Sequence, residues 1–356
     1  MKMARTDVPL ELPAGEVPRF EPHPLVPNGH LQTIIGRYIV GPRRCIPSVY
    51  HELDLAGGDR LSVLDSVPRR WALGDPVAVL IHGLSGCARS PYVVRLAVRL
   101  HRKGVRVVRM NLRGAGSGFG LARGIYHAGK TDDVRRVVEW AAKRSPDSPV
   151  ALVGFSLGAN LVLKLAAEAQ ADPLAGFDCV LAANPPIDLA ECSRAIQRPE
   201  NRIYDRNFAR QLRADVERLH AAFPELGPVR LPDGISVYDF DDLYTAPRNG
   251  FAGADDYYAH CSSGPLIPSI TAPGLVIHAE DDPFIPAEPF RRVAFPKQLA
   301  LDLISGGGHL GYISRRRWDG DRRWLDSRLS AWLAARWDLP EDPPRRLAAY
   351  REEPRD

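Results

Sequence analysis

Three residue types that lie far apart in the chain could together perform nucleophilic catalysis, beginning with a serine. Ser156 lies in the pentapeptide GFSLG, which matches the pattern GxSxG. The pattern directly follows the apolar run PVALV and opens the helix-like segment ANLVLKLAAEA. A serine at a sharp strand-to-helix turn holds its hydroxyl exposed, and the flanking glycines leave room for the turn. We therefore predict that Ser156 is a nucleophile.

A serine hydroxyl needs a base, and the base needs a carboxylate that orients it. On such a scaffold the acid and then a histidine follow later strands. The apolar run GLVIHAE ends at Asp281-Asp282, and the run LALDLI is followed by three glycines and His309. We predict Asp282 as the acid, because it precedes a proline and begins a turn, while Asp281 stays open as the alternative. His309 is the predicted base.

A tetrahedral intermediate also needs donors for its oxyanion. The segment HGLSG at 82–86 follows the first apolar run of the central region. A backbone N–H in this loop and the N–H after the nucleophile are suited to that task. We predict the N–H groups of Leu84 and Leu157 as the oxyanion hole, and we interpret His82 as a structural residue.

The elements that must position these residues alternate along the chain. Strand-like runs occupy 49–55, 60–67, 77–81, 105–110, 150–153, 179–183, 274–278 and 299–304, and helix-like segments occupy about 91–103, 130–144, 157–170, 285–293 and 321–336. The first two strands flank a glycine-rich turn and are expected to pair antiparallel. The later alternation predicts an α/β fold, with a mostly parallel central sheet and helices on both faces.

One long interval interrupts this alternation. Its first half, 188–226, has a helical composition, and its second half, 227–265, is interpreted as irregular. An insertion of this length is more typical of a cap than of a structureless loop. The predicted parts are an N-terminal arm at 1–45, an α/β core at 46–187 and 266–340, a helical cap insertion at 188–265 and a C-terminal tail at 341–356.

A second motif, Gly124 to Thr131, matches the phosphate-binding pattern GxxxxGK[ST]. A phosphate loop must begin at the end of a buried strand, so that its N–H groups converge on the phosphate. Here a glycine-rich connection at 114–123 precedes the motif, and a GxGxxG pattern starting at Gly114 or Gly116 fails. A P-loop nucleotide-binding protein therefore remains an alternative without support from context.

Composition narrows the class of protein further. Hydrophobic residues make up 45% and charged residues 25% of the 356, a normal globular balance, and the net charge of +4 is scattered. This predicts no nucleic-acid partner and no integral membrane segment. The five cysteines form no CxxC pair, which favours reduced thiols and a cytoplasmic location.

Taken in order, nine short segments resemble the YheT-like α/β-hydrolases, also called the AB hydrolase 4 family. The matching segments are NGHLQT at 28–33, HGLSG at 82–86, SPY at 90–92, NLRG at 111–114, RGIYH at 123–127, GFSLGAN at 154–160, FDDLYTAP at 240–247, HAEDDPFIP at 278–286 and GGHLGYI at 307–313. The resemblance runs from about residue 24 to the last helix. It implies an α/β-hydrolase fold and makes Lys130 of the phosphate-loop match incidental.

The resemblance also implies a serine hydrolase in which Ser156, Asp282 and His309 act on carboxylic esters, without a metal or organic cofactor. The expected substrates are short- to medium-chain acyl esters or acylglycerol-like lipids. Two alternatives besides the nucleotide-binding protein stay open, namely an acyltransferase with the same triad and a non-catalytic ligand-binding relative. The sequence does not determine the oligomeric state.

Overall fold

Eight strands form the central sheet in this computed structural model, which describes residues 17–38, 46–318 and 321–339. The strands are β1 (Val49–Asp54), β2 (Arg60–Ser66), β3 (Val77–Ile81), β4 (Arg106–Met110), β5 (Val150–Phe155), β6 (Phe177–Ala183), β7 (Gly274–Ala279) and β8 (Leu299–Ile304). Their order across the sheet is β1-β2-β4-β3-β5-β6-β7-β8. β2 pairs antiparallel with β1 and β4, and β4, β3 and β5 to β8 are parallel. The predicted mostly parallel sheet with an antiparallel entry is confirmed.

Burial on both faces explains the continuous apolar strands. In β3, Val77, Val79 and Ile81 belong to one hydrophobic cluster, whereas Ala78 and Leu80 belong to the cluster on the opposite face. Each of these side chains is fully buried. A strand that is covered on both sides has no solvent-facing positions, and so its sequence does not alternate between apolar and polar residues.

Helices cover both faces of the sheet, as predicted. Those outside the insertion are α1 (Gly29–Tyr38), α2 (Pro91–Arg102), α3 (Thr131–Arg144), α4 (Leu157–Glu168), α10 (Glu288–Arg292) and α11 (Trp324–Trp337). α2 and α11 bury leucines in one cluster, and α3 and α4 bury valines and leucines in the other. Because α4 begins directly after β5, its N-terminus lies at the carboxyl edge of the sheet.

Between β6 and β7 the chain forms a series of helices. They are α5 (Leu189–Ile196), α6 (Arg202–Ala222), α7 (Val237–Phe240), a π-helical turn (Asp241–Thr245), α8 (Ala246–Arg248) and α9 (Ala254–Cys261). The helical prediction for 188–226 is confirmed. The irregular interpretation of 227–265 is wrong in part, because helices of three to eight residues are too short to show a 3.6-residue apolar period. The role of this segment as a cap stays a prediction.

The sequence also missed elements near both ends. α1 lies within the predicted N-terminal arm, and two short strands, β9 (Ile313–Trp318) and β10 (Asp321–Arg323), precede α11, which begins three residues later than predicted. Residues 1–16 and 39–45 of the arm, with Cys45, and the predicted tail at 341–356 lie outside the described residues. None of the helices described is both long and apolar enough to cross a bilayer.

Candidate active site

The turn between β5 and α4 forces Ser156 into an unusual backbone conformation. Its φ is 52° and its ψ is −123°, a region that non-glycine residues seldom occupy. A Cβ at Gly154 would lie 2.3 Å from the carbonyl oxygen of Gly158, and a Cβ at Gly158 would lie 2.5 Å from that of His82. Only glycine fits these two positions, and so the GxSxG pattern is what allows the serine to project from the turn.

The structure brings together the three side chains predicted for catalysis. His309 Nε2 lies 3.0 Å from Ser156 Oγ, and His309 Nδ1 lies 2.8 Å from Asp282 Oδ2. An ionised carboxylate only accepts hydrogen bonds, so Nδ1 carries the imidazole proton and Nε2 can accept one from the serine hydroxyl. Ser156, His309 and Asp282 are therefore joined by two consecutive hydrogen bonds, although Ser156 and His309 lie 153 residues apart.

The Asp282 carboxylate is fully buried and has several donors. Oδ2 accepts from Nδ2 of Asn184 at 2.8 Å as well as from His309, and Oδ1 accepts from the N–H groups of Phe284 and Ile285, both at 3.2 Å. Burial raises the pKa of Asp282, but the His309 imidazole and the Asn184 amide outweigh this effect and hold the pKa below its ordinary value. The carboxylate therefore stays ionised beside the histidine.

Asp281 has a different position from Asp282. Its Oδ1 accepts a hydrogen bond of 2.8 Å from the N–H of Gly308, the residue before His309. Asp281 therefore contacts the backbone of the loop at 305–309, called the histidine loop below, whereas Asp282 contacts the imidazole itself. The two neighbouring aspartates fix the same loop from two directions, and only Asp282 lies within hydrogen-bond distance of the ring.

Helix α1 packs directly against the histidine loop, which explains its glycines. The N–H of His309 donates to Thr33 Oγ1 at 2.8 Å, and the Thr33 hydroxyl donates to the carbonyl of Gly29 at 2.7 Å. A Cβ at Gly308 would lie 2.2 Å from the Gly29 oxygen, and Gly308 has a φ of +55°. A side chain at this position would push α1 away from the loop.

The backbone around Leu84 leaves one donor open beside Ser156. The N–H of Gly83 donates to the hydroxyl of Tyr92 at 3.0 Å, and the N–H of Ser85 donates to that of Tyr126 at 2.7 Å. The Leu84 N–H between them has no acceptor among the described residues, and neither has the N–H of Leu157. Two unpaired N–H donors beside Ser156 are the arrangement that the predicted oxyanion hole requires.

His82 holds the loop instead of facing the serine. Its ring is fully buried, Nε2 accepts from the N–H of Leu112 at 3.0 Å, and Nδ1 lies 2.8 Å from the Gly83 carbonyl. Burial lowers the pKa of His82 to about 4, so the ring is neutral and suited to this arrangement. These contacts agree with its interpretation as a structural residue.

The last four N–H groups of the phosphate-loop match, those of residues 128–131, are already occupied. Ala128 N–H donates to the Tyr257 hydroxyl at 2.8 Å, Gly129 N–H donates to Nδ1 of His127, and Lys130 N–H donates to the His127 carbonyl. Strand β4 ended at Met110, well before this segment. A phosphate cradle needs converging free N–H groups at the end of a strand, and this segment does not provide them.

Sequence reasoning missed four residues that support the site. Thr33, Tyr92 and Tyr126 lie in segments that carry the family resemblance, so the resemblance marked their position without revealing their contacts. Asn184 lies outside every quoted segment, and its only signal is its place directly after β6, at the carboxyl edge of the sheet. Its Oδ1 also accepts from the hydroxyl of Tyr312 at 2.9 Å.

Two cavities meet at Ser156. The inner cavity, of about 120 Å³, is bounded on one side by Leu157 and is lined mainly by apolar residues such as Leu189, Ile196 and Phe208. The outer cleft, of about 1360 Å³, is bounded by His309 and extends along α1 and α6. Leu84, Ser156, Phe208 and Phe284 border both.

Comparisons with known proteins agree with this architecture. The family model described as the alpha/beta hydrolase fold matches residues 76–315. The chain is 33% identical over 310 residues to the Escherichia coli (strain K12) protein named "Putative esterase YheT", covering 86% of this chain and 90% of that protein. It is 28% identical to the monoacylglycerol lipase of Saccharomyces cerevisiae, over 72% of this chain and 59% of the lipase.

A solved structure has the same fold. The alpha/beta hydrolase GrgF from Penicillium sp. sh18 superposes with a TM-score of 0.56 at 20% sequence identity, over 82% of this chain and 100% of GrgF. The expected α/β-hydrolase fold is thereby confirmed. The chain belongs to the α/β-hydrolase family, among its YheT-like members.

Proposed function

We propose that the protein hydrolyses carboxylic esters, short- to medium-chain acyl esters or acylglycerol-like lipids, through an acyl-enzyme on Ser156. The observation that carries the proposal is the unbroken hydrogen-bond relay from Ser156 through His309 to Asp282. The esterase and lipase names of relatives support the same reaction class. The cytoplasmic location and the absence of a cofactor stay predictions.

In the first half of the reaction, Ser156 Oγ attacks the ester carbonyl carbon while its proton passes to His309 Nε2. The carbonyl oxygen becomes an oxyanion that accepts hydrogen bonds from the N–H groups of Leu84 and Leu157. Asp282 stabilises the imidazolium that forms. When the intermediate collapses, the C–O bond to the alcohol breaks and His309 returns the proton to the alcohol oxygen.

In the second half, water replaces the alcohol. His309 removes a proton from the water as it attacks the acyl carbon, the oxyanion forms again at Leu84 and Leu157, and the bond to Ser156 Oγ breaks. The serine recovers its proton from His309. The products are a carboxylic acid and an alcohol, and the protein ends in its starting state.

The test is the hydrolysis of p-nitrophenyl acyl esters of graded chain length by the wild type, Ser156→Ala and Ser85→Ala. Ser85 is a matched control, because it lies in the same cleft and its Oγ has no hydrogen-bond partner among the described residues. We expect Ser156→Ala to lose at least about 10⁴-fold in kcat and Ser85→Ala to stay close to wild type. Equal rates in wild type and Ser156→Ala would overturn the proposal.

A further inference from the structure

The two cavities differ in their relation to the base, and this assigns a part of the substrate to each. The general acid must give its proton to the oxygen of the departing alcohol, so the alcohol has to lie on the side of His309. His309 lines the outer cleft and is not among the residues that line the inner cavity. The alcohol therefore occupies the outer cleft, and the acyl chain occupies the inner cavity beside Leu157.

The inner cavity suits a short acyl chain. Its walls are mainly apolar, and its volume is about 120 Å³. An apolar protein cavity of about 150 Å³ is known to hold benzene, so this one accommodates a chain of roughly four to five carbon atoms. The outer cleft, of about 1360 Å³, has room for a larger alcohol.

The outer cleft is strongly basic along one helix. Arg202, Arg206 and Arg210 of α6 line the cleft at a spacing of four residues, which places them on one side of the helix. The adjacent side, which includes Ala209 and Leu212, is buried. The helical period therefore gives α6 one apolar stripe that packs and a neighbouring stripe of guanidinium groups that faces the cleft.

These three arginines have no acidic partners among the described residues, in contrast to their neighbours. Arg213 in the same cleft pairs with Glu217 and Asp233. Among the residues that the structure describes, Arg210 donates only to the neutral Asn207 side chain, at 3.1 Å. The remaining cleft residues add another exposed arginine, Arg37, against a single acid, Glu200. The cleft that Ser156 and His309 border thus presents several uncompensated positive charges.

We propose that the substrates are short-chain esters of alcohols that carry an anionic group, a carboxylate or a phosphate, held by the arginine stripe at positions 202, 206 and 210. The proposal rests on the ester hydrolysis proposed above. Guanidinium groups bind carboxylate and phosphate oxygens through paired N–H donors. An anion held at the far end of the alcohol orients the ester carbonyl toward Ser156.

Two matched substrate pairs test the proposal and separate the sources of the anion. The first pair is 3-(butanoyloxy)-4-nitrobenzoate and its neutral benzamide. The second pair is 1,2-dibutanoylglycerol 3-phosphate and 1,2-dibutanoylglycerol, which represents a lipid headgroup. The variants are Arg202→Gln/Arg206→Gln/Arg210→Gln and a control with the same charge change at exposed positions that line neither cavity, Arg69→Gln/Arg70→Gln/Arg230→Gln.

We expect the wild type to prefer the anionic member of at least one pair in kcat/KM, and that pair identifies the anion. In the stripe variant the preference should fall about tenfold, while the neutral members are hydrolysed as by wild type. Raised salt should increase the wild-type KM for the anionic member only. The proposal is overturned if the wild type prefers neither anionic member, or if the control loses as much as the stripe variant.

A failure of the proposed ester hydrolysis can be distinguished from a failure of the proposed anion site. If wild type and Ser156→Ala hydrolyse the neutral benzamide ester at the same rate, ester hydrolysis at this site is excluded, whatever the arginine variants do. If wild type hydrolyses the neutral ester and Ser156→Ala does not, while the stripe variant keeps the wild-type preference, only the anion site is excluded.

Discussion

The Asn184 amide donates a hydrogen bond of 2.8 Å to the same oxygen of Asp282 that accepts from His309. It also donates to the carbonyl of Gly308 at 3.2 Å. One buried amide therefore fixes both the Asp282 carboxylate and the loop that carries His309. Asn184 lines neither cavity, so it positions the relay without touching the substrate.

We expect Asn184→Ala to lower kcat for p-nitrophenyl butanoate by about 10- to 100-fold, since hydrogen bonds to a charged group contribute about 1.5–3 kcal/mol. KM should stay within about twofold, because the cavities are unchanged. Steady-state kinetics give both values. Tyr312→Phe is the matched control: it removes the hydroxyl that donates to Asn184 Oδ1 but keeps the donor to Asp282, and should have a smaller effect. An equal loss in both variants would contradict the assigned role.

Substitution of each aspartate by asparagine distinguishes the role of Asp281 from that of Asp282. Asp282→Asn should reduce kcat by about 10⁴-fold, because an amide no longer favours the Nδ1-protonated imidazole. Asp281→Asn should reduce it by less than about tenfold, because an amide oxygen still accepts from the N–H of Gly308. The kcat values of the two variants with one p-nitrophenyl ester show which aspartate acts with His309. Equal losses, or the larger loss at Asp281, would reverse the assignment.

The close packing of Gly308 against α1 predicts that Gly308→Ala strongly reduces kcat. The added methyl would lie 2.2 Å from the Gly29 oxygen, so the loop and α1 must separate and the imidazole shifts. A displacement of about 1 Å at a catalytic group costs roughly 100-fold in rate. Gly57→Ala is the control, since it also has a positive φ (+77°) but open space; it should cost only about 1 kcal/mol of stability. Near-wild-type kcat in Gly308→Ala would refute this account.

Buried histidines predict a loss of stability in mild acid. Burial lowers the pKa of His82, His127 and His278 from 6.5 to about 4. Between pH 6.5 and about 4, these histidines bind protons in the unfolded chain but not in the folded chain. The free energy of unfolding therefore decreases as the pH falls from 6.5 toward 4. Each histidine contributes about 1.4 kcal/mol per pH unit. Asp241, whose pKa burial raises to about 6, acts in the opposite sense and offsets about one of the three.

Urea unfolding at pH 6.5, 5.5 and 4.5 measures this dependence. His278→Gln should reduce the decline by about 1.4 kcal/mol per pH unit, because it removes one proton-binding site, whatever it does to the stability at pH 6.5. His260→Gln replaces an exposed ring and should leave the decline unchanged. A decline that is the same in His278→Gln as in wild type would show that this ring does not control it.

Local signals predicted the strands and the strand-to-helix turn at Ser156 well. A strand buried on both faces is a continuous apolar run, and the turn at Ser156 requires glycines two residues before and after it, so each is visible in a few consecutive residues. Thr33 and Asn184 were not visible in this way, because their contacts are made with residues more than 90 positions away. Their chemistry depends on tertiary packing that no local pattern encodes.

Helix α1 also could not be predicted from a local sequence pattern. Its sequence GHLQTIIGRY contains two glycines, which weaken an isolated helix, and the segment was predicted as an arm without a helix. In the structure the fully buried Gln32 bonds to the Val26 and Ile313 carbonyls and accepts from the Ile313 N–H. These tertiary bonds stabilise a helix that propensity alone does not favour.

The bond between Thr33 and the backbone of His309 joins positions that are 276 residues apart. During synthesis on a ribosome, the turn at Ser156 can form before His309 has been synthesised or while His309 is still inside the exit tunnel. The relay closes only after the last strands have emerged and the N-terminal helix has docked on the histidine loop. On the proposed mechanism, a nascent chain is therefore inert, and its reactivity begins with the completion of folding.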